Sequence, residues 1–115
     1  MKEIKAYIRA YKIESVVKEL SEIGIENMTV IDIMALGKGL IDPQKSNYSI
    51  ELVQKYSDVA KLEIIVSDKD VDKTVETIRS VAFSGQKGDG IILVSSISEA
   101  IKIRTGKTGE NILQN

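Results

Sequence analysis

The stretch "KLEIIVSDKDVDKTVETIRSVAFSGQKGDGIILV", residues 61–94, decides the fold of this chain. An apolar run at its start and another after its glycines predict two strands, over residues 61–68 and 91–97. Between them, apolar residues recur at the spacing of one helix face, at Val71, Val75, Ile78, Val81 and Ala82. The stretch is therefore a strand–helix–strand unit with a glycine-rich loop before its second strand.

The N-terminal part of the chain repeats this unit. Residues 2–10 alternate apolar and polar side chains, which predicts a strand. Apolar residues at helical spacing predict a helix over residues 13–23, and residues 28–36 read as another apolar strand. The elements thus follow in the order strand, helix, strand, strand, helix, strand.

The ends of both helices carry residue types typical of caps. Gly24 follows the first helix, where a C-cap needs a residue that adopts positive φ. Ser67 or Asp68 is predicted to cap the start of the second helix, and Gly85 to end it.

This element order is that of the α+β, ferredoxin-like βαββαβ fold, in which both helices cover one face of an antiparallel sheet. A short fifth strand is predicted over residues 101–105. Residues 1–115 are expected to form a single domain with a flexible tail over residues 106–115. Residues 37–58 are expected to protrude as a loop that meets a partner, because compact domains rarely hold so long a structureless connection. An ordered hairpin, with a strand extension or a short helix, is the alternative.

The second strand is apolar on both sides, which is unusual for a sheet with one wet face. One side carries Thr29, Ile31, Ile33 and Ala35, and the other carries Met28, Val30, Met34 and Leu36. The face without helices is therefore expected to pack against copies of itself in a closed homo-oligomer. The alternative is a monomer with an unusually apolar surface.

Composition excludes several classes of function. The net charge is −1, so no basic field attracts nucleic acid, and no stretch is long and apolar enough to insert directly into a membrane. The chain has no cysteine and no histidine, which removes thiol chemistry and the usual acid/base group at neutral pH. The sequence therefore predicts neither an enzyme nor a bound metal, although slow ATP hydrolysis by positioning alone stays open.

The glycine loop "SGQKGDG", residues 84–90, has two interpretations. It lacks the Lys-Ser/Thr ending of a P-loop, and a helix precedes it where a dinucleotide fingerprint has a strand. Taken alone it is a tight turn. The other interpretation is a nest of backbone N–H groups for phosphate, with Lys102 and Arg104 projecting from one face of the fifth strand and Lys38 and Lys87 as further cations.

The chain resembles the PII signal-transduction protein family over almost its whole length. The resemblance lies in the "Y-I-R" start, "GI..MTV", the long loop after Gly37, "V-D-K-T-V-E-T-I", "S-G-Q-K-G-D-G" and "I-K-I-R-T-G". The last two are similar to the family signature "TGKIGDGKIFV…RIRTGE". The resemblance implies a cytoplasmic homotrimer that binds ATP or ADP between subunits, with Mg²⁺ accompanying ATP. It also implies that the loop of residues 37–58 docks onto a transporter or a metabolic enzyme. Docking onto a transporter would recruit the protein to a membrane.

The resemblance also implies which residues bind the nucleotide. Carried onto this chain, they are Thr29, Gly37, Lys38, Glu63, Ser84, Gly85, Gln86, Lys87, Gly88, Asp89, Gly90, Lys102 and Arg104. The basic residues would pair with phosphates, and backbone groups near Gly37 and Glu63 would contact adenine. Each residue also has an ordinary role: Thr29 in a strand, Glu63 on a solvated face.

Departures from the family pattern point to a divergent or PII-like member. Ile91 stands where the signature has lysine, and Lys102 where it has arginine, so a fixed phosphate charge is lost. In the family, 2-oxoglutarate binds through Mg²⁺ bridged to ATP and needs a glutamine and a lysine. Gly39 and Val59 occupy those positions here. The chain is therefore expected to sense ATP and ADP without responding to 2-oxoglutarate. The alternative is an assembly protein that keeps the fold but has a degraded nucleotide site.

Overall fold

The computed structural model describes residues 1–33, 59–109 and 113. Its strands and helices, in chain order, are β1 (Lys2–Arg9), α1 (Ile13–Glu22), β2 (Met28–Ile33), β3 (Val59–Val66), α2 (Val71–Ala82) and β4 (Ile91–Ser96). A single 3-10 turn precedes each helix, at Ala10–Lys12 and at Asp68–Asp70. The predicted loop of residues 37–58 lies outside the described residues, as does the predicted continuation of β2 beyond residue 33.

The strands form one four-stranded antiparallel sheet in the order β2-β3-β1-β4. Ala6 of β1 lies opposite Leu62 of β3 and opposite Ile92 of β4, so apolar residues line up across the sheet on one face. This order and the βαββαβ sequence of elements confirm the ferredoxin-like α+β fold. β3 begins at Val59, two positions before the predicted start, because Val59 and Ala60 continue the ladder with the end of β1.

Both helices cover the same face of this sheet and close the core. Each fully buried Ile or Leu side chain contributes about 1.5–3 kcal/mol to stability. The buried cluster joins strands and helices through Ile4, Ala6, Ile8, Val16, Leu20, Ile25, Leu62, Ile64, Val66, Ile78 and Ala82. Thr74 is buried among them, and its hydroxyl donates to the Asp70 carbonyl oxygen at 2.6 Å, which satisfies the polar group within α2.

The predicted C-cap of α1 is confirmed. Gly24 has φ +89°, and its N–H donates to the carbonyl oxygen of Ser21 at 3.1 Å. The N–H of Ile25 donates to the carbonyl oxygen of Leu20 at 2.9 Å. This pair of bonds is a Schellman motif, and the buried side chains of Ile25 and Leu20 supply the hydrophobic contact that usually accompanies it.

The predicted caps of α2 are wrong. Ser67 precedes the 3-10 turn without a side-chain hydrogen bond, and the Asp68 carboxylate accepts from the N-terminal amine of Met1 at 2.7 Å. That hydrogen bond holds the pKa of Asp68 below its usual value. At the other end, α2 stops at Ala82 because Phe83 is extended, and Gly85, with φ +85°, belongs to the loop beyond.

The predicted fifth strand is also wrong. Ile101 forms an isolated bridge with Thr108, and the N–H of Lys102 donates to the Lys107 carbonyl oxygen at 2.9 Å. The Gly106 N–H donates back to the Lys102 carbonyl oxygen at 2.7 Å, with φ +69°. The segment therefore folds back on itself, and we refer to residues 101–108 as the C-terminal turn. Beyond residue 109, the predicted tail lies outside the described residues except for residue 113.

The other face of the sheet has no helix against it within the described part of the chain. Its centre carries charged side chains in two ion pairs, Lys5 with Glu3 at 3.4 Å and Lys61 with Glu63 at 2.7 Å. Exposed apolar residues surround them, namely Ile31, Ile65, Ile91 and Leu93. This open face is thus mixed in character rather than uniformly apolar.

Candidate functional site

The glycine loop is organised from inside by the carboxylate of Asp89. The backbone N–H groups of Ser84 and Gly85 donate to its Oδ2 at 2.8 and 3.0 Å, and the Ser84 hydroxyl donates to its Oδ1. The Ser84 hydroxyl, then the Ser84 N–H, lower the pKa of Asp89 from its usual 3.8 to about 2. Asp89 is therefore ionised at neutral pH and serves as the acceptor around which the loop folds.

Arg9, at the end of β1, holds the loop from the other side. Its Nη2 donates to the Lys87 carbonyl oxygen at 2.6 Å, and its Nε lies 3.5 Å from Asp89 Oδ1. The Nε atom is buried and forms no hydrogen bond with the residues that the structure describes. Arg9 was not predicted as a site residue, because in the sequence it is an exposed position of an alternating strand. The signal was in the topology, because β1 pairs with β4 and Tyr7 lies opposite Ile91, which brings the end of β1 beside the loop.

Two glycines of the loop are required by close contacts. Gly90 has φ +106°, and a Cβ placed on it would lie 1.7 Å from the carbonyl oxygen of Tyr7. Gly88 has φ +99°, and its Cβ would lie 2.9 Å from Arg9 Nη2. Both positions combine a backbone conformation that favours glycine with a neighbour that leaves no room for a side chain.

The N–H groups of the loop fall into two sets. Those of Ser84 and Gly85 bind Asp89, and that of Gln86 donates to Ser84 Oγ at 3.2 Å. In the part of the chain that the structure describes, the N–H groups of Lys87 and Gly88 bind no acceptor. Any anion held by backbone N–H groups of this loop would therefore use its second half.

Thr29 and Glu63 lie directly opposite each other on β2 and β3, on the open face of the sheet. The Glu63 carboxylate accepts from Lys61 Nζ at 2.7 Å, and this hydrogen bond lowers the pKa of Glu63. The structure thus brings these two predicted residues together, with a negative charge that Lys61 neutralises.

Lys102 and Arg104 lie in the C-terminal turn, so the prediction that they share one face of a strand is wrong. The backbone of Lys102 closes the turn through two hydrogen bonds, while the side chain of Arg104 is exposed. Among the described residues, neither side chain forms an ion pair, and no hydrogen bond joins them to the glycine loop. Gly37 and Lys38 lie outside the described residues.

A groove of about 410 Å³ lies between α2 and the start of β4. Asp89 and Gly90 border it together with Ile78, Arg79 and Phe83. Thr29, Glu63 and the C-terminal turn do not, so this groove is not where the predicted binding residues converge. Within residues 1–33 and 59–109, no group of acidic side chains could hold a metal ion, and no helix there is long and apolar enough to cross a membrane.

Comparison with known proteins identifies a class of regulatory proteins. Residues 1–107 match the family described as "Nitrogen regulatory protein P-II". The chain is 41% identical over 113 residues to nitrogen regulatory protein P-II 2 of Methanothermobacter thermautotrophicus, covering 96% of this chain and 95% of that protein. It is 44% identical over 108 residues to the P-II protein of Pyropia yezoensis, covering 91% and 93%. The P-II protein of Rhizobium meliloti is 34% identical over 113 residues, covering 95% and 96%.

The chain therefore belongs to the nitrogen regulatory protein P-II family. This confirms the resemblance stated from the sequence, and it makes the protein a member of a family of signalling proteins that regulate nitrogen metabolism. P-II proteins are regulators without enzymatic activity, so the prediction that the chain is not an enzyme is also confirmed.

Proposed function

We propose that this protein is a trimeric regulator that senses adenine nucleotides. ATP or ADP binds in clefts between subunits, with Mg²⁺ accompanying ATP, and residues 37–58 transmit the state of the cleft to a partner. The partner is a transporter or a metabolic enzyme. The protein acts in the cytoplasm and is recruited to the membrane where the partner is a transporter. Members of the P-II family trimerise, regulate targets and typically bind adenine nucleotides.

The observation that carries this proposal is the construction of the glycine loop. Asp89 and Arg9 fix its conformation from within, and the N–H groups of Lys87 and Gly88 stay available for phosphate oxygens. Thr29 and Glu63 are adjacent on the open face, where another subunit would pack. The exposed Arg104 adds a cation with no partner among the described residues, as expected for a group that meets a ligand bound to a neighbouring subunit.

The alternative function is an assembly protein that has kept the fold and lost the nucleotide. Two observations favour it. Ile91 stands at the start of β4 where the family signature has a lysine, and Lys102 uses its backbone to close a turn rather than projecting with Arg104 from a strand. Both changes reduce the fixed positive charge near the glycine loop.

Calorimetric titration separates these functions, and we expect ATP and ADP, but not 2-oxoglutarate, to give saturable heat. Phosphate oxygens would accept from N–H donors and pair with cations. The far carboxylate of 2-oxoglutarate would instead face Val59, an uncharged residue at the start of β3, and would lose its hydration without a partner. Arg9 lies opposite Val59 on β1, but its guanidinium is bound to the Lys87 carbonyl oxygen and to Asp89. Lys45 and Lys55 belong to the long loop and would make only weak point-charge contacts.

The 2-oxoglutarate titration is done with protein held at saturating Mg-ATP. The double variant Gly39→Gln with Val59→Lys supplies both missing groups and is the matched control, in which we expect saturable heat to appear. Saturable heat from 2-oxoglutarate at micromolar concentration in the unmodified protein would contradict the prediction that it does not bind. No heat from either nucleotide would favour the assembly protein.

For assembly, we expect light scattering to give the mass of three 12.7 kDa chains. The open face carries exposed apolar residues beside paired charges, a combination that a second copy can cover. Leu93→Lys should shift the mass toward the monomer, because the new ammonium would have to be desolvated in the interface. Tyr11→Lys, at an exposed position outside the sheet, is the control and should leave the mass unchanged. A monomer mass for the unmodified protein at micromolar concentration would rule out the trimer.

A further inference from the structure

Arg9 makes three contacts with the glycine loop, and none of them involves a backbone N–H group that a phosphate could use. Its Nη2 donates to the Lys87 carbonyl oxygen at 2.6 Å. Its Nε is 3.5 Å from Asp89 Oδ1. The same guanidinium fills the space beside Gly88, where a Cβ would lie 2.9 Å from Nη2. The side chain is 27% exposed, so most of it is enclosed by the protein.

These contacts connect the sheet to the backbone of the loop through two side chains. β1 fixes the position of Arg9, which holds Asp89, and Asp89 in turn holds the N–H groups of Ser84 and Gly85. Arginine suits this place because its planar fork can face a carbonyl oxygen and a carboxylate at once, which a lysine ammonium on a flexible stem does less well. The start of the loop, at Ser84, and its middle, at Lys87, are therefore both held through one side chain.

We propose that Arg9 is a positioning residue for phosphate binding, which sets the conformation of the glycine loop without touching the ligand. The proposal rests on the proposed function, since it takes the loop to be the phosphate site. Its positive charge is used inside the protein, opposite Asp89. What it provides is a fixed direction for the N–H groups of Lys87 and Gly88, which bind no acceptor among the described residues.

This role predicts a dependence on phosphate that a purely structural residue would not show. A loop that has lost its shape contributes less to binding phosphates, while contacts to adenine and ribose made elsewhere in the cleft persist. Removing the guanidinium should therefore weaken binding of ADP and leave binding of adenosine unchanged.

The test compares Arg9→Met, which keeps the length of the side chain without its donors, with Arg9→Lys, which keeps the charge but reaches one acceptor instead of two. Lys18→Met is the control, because it removes one positive charge at an exposed position of α1, away from the loop and from the open face. We expect Arg9→Met to weaken ADP binding about tenfold, the effect of losing a hydrogen bond to a charged group. Arg9→Lys should fall between Arg9→Met and the unmodified protein, and Lys18→Met should match the unmodified protein.

Amide hydrogen exchange in the nucleotide-free protein gives a second readout that does not depend on ligand. The N–H groups of Ser84 and Gly85 should exchange about tenfold faster in Arg9→Met, while those of β1 and β3 keep their protection. Where Arg9→Met does not fold, Arg9→Lys is compared in both measurements.

Each result has a defined meaning. Unchanged ADP affinity in the Arg9 variants overturns the inference, and so does an equal loss for ADP and adenosine, which would mark Arg9 as a general stability residue. If the unmodified protein binds no ADP, the proposed function fails. Hydrogen exchange then decides alone, and unchanged exchange at Ser84 and Gly85 would overturn the ordering role of Arg9 as well.

Discussion

Gly90→Ala is expected to lower the free energy of unfolding by about 3 kcal/mol or more, the range reached when strain at a special backbone conformation adds to overpacking. The added Cβ would lie 1.7 Å from the Tyr7 carbonyl oxygen and 3.2 Å from the Cα of Ile8. Both neighbours are backbone atoms of β1, so no side-chain rotation can relieve the overlap. Relief requires β4 to move away from β1 where the two strands begin to pair, at Tyr7 and Ile91.

The control for this variant is Gly24→Ala, which separates backbone conformation from crowding. Gly24 has φ +89°, similar to the +106° of Gly90, but a Cβ there meets no described atom within 4 Å. Its substitution should cost about 1 kcal/mol, the usual penalty of a left-handed residue. Urea unfolding at one fixed protein concentration measures both. Equal losses in the two variants would show that the contact with Tyr7 relaxes at no cost.

The elements that could be predicted from the sequence are those decided by local periodicity. Buried and less buried side chains alternate along β1, so one side of the strand faces the helices and the other side faces outward. Its register is fixed because the apolar side chains must be buried. The Schellman end of α1 needs only Gly24 and the apolar pair Leu20 and Ile25. In each case the pattern that predicts the structure lies within a few consecutive residues.

The errors arose where a distant residue competes for a group. Asp68 was predicted to cap a helix. The sheet brings the N-terminal amine beside it, and the Asp68 carboxylate accepts a hydrogen bond from that amine instead. Lys102 and Arg104 looked like strand alternation, but the five residues 101–105 are too few to establish a period. The carbonyl oxygen of Lys107 then turns the chain back. A strand over residues 101–105 would have to pair with another strand. The described sheet contains no strand beyond β4, so no such pairing forms there.

The candidate site illustrates the same limit. Its glycines and Asp89 were visible in the sequence, because the cluster "GQKGDG" is unusual, but the sequence did not show that Asp89 is turned inward to hold Ser84 and Gly85. The role of Arg9 could not be predicted from the sequence, because Arg9 lies 78 residues from its hydrogen-bond partner Lys87. Only the pairing of β1 with β4 brings them together.

Arg104→Ala is expected to weaken binding of ADP and ATP by about 1.5–3 kcal/mol, the usual size of a charge-assisted hydrogen bond. This corresponds to about a ten- to 150-fold loss of affinity, the largest effect on binding that we expect from a single side chain. The guanidinium is exposed on the C-terminal turn and has no ion pair among the described residues. Removing it therefore breaks no interaction among the described residues, and the variant should keep its stability.

The reason to expect a large effect is that this chain lacks the family's lysine beside the glycine loop, so more of the phosphate charge falls to Arg104. Ile91 provides no cation at the start of β4, and Arg9 is already bound to Asp89. Lys107→Ala is the matched control, because it removes one positive charge from the same turn and leaves intact the backbone bonds through which Lys107 closes it. Calorimetry with ADP at two salt concentrations distinguishes the two variants. A small, salt-sensitive loss shared by both would mean that the turn acts only through its overall field, and an unchanged affinity in Arg104→Ala would remove this residue from the site.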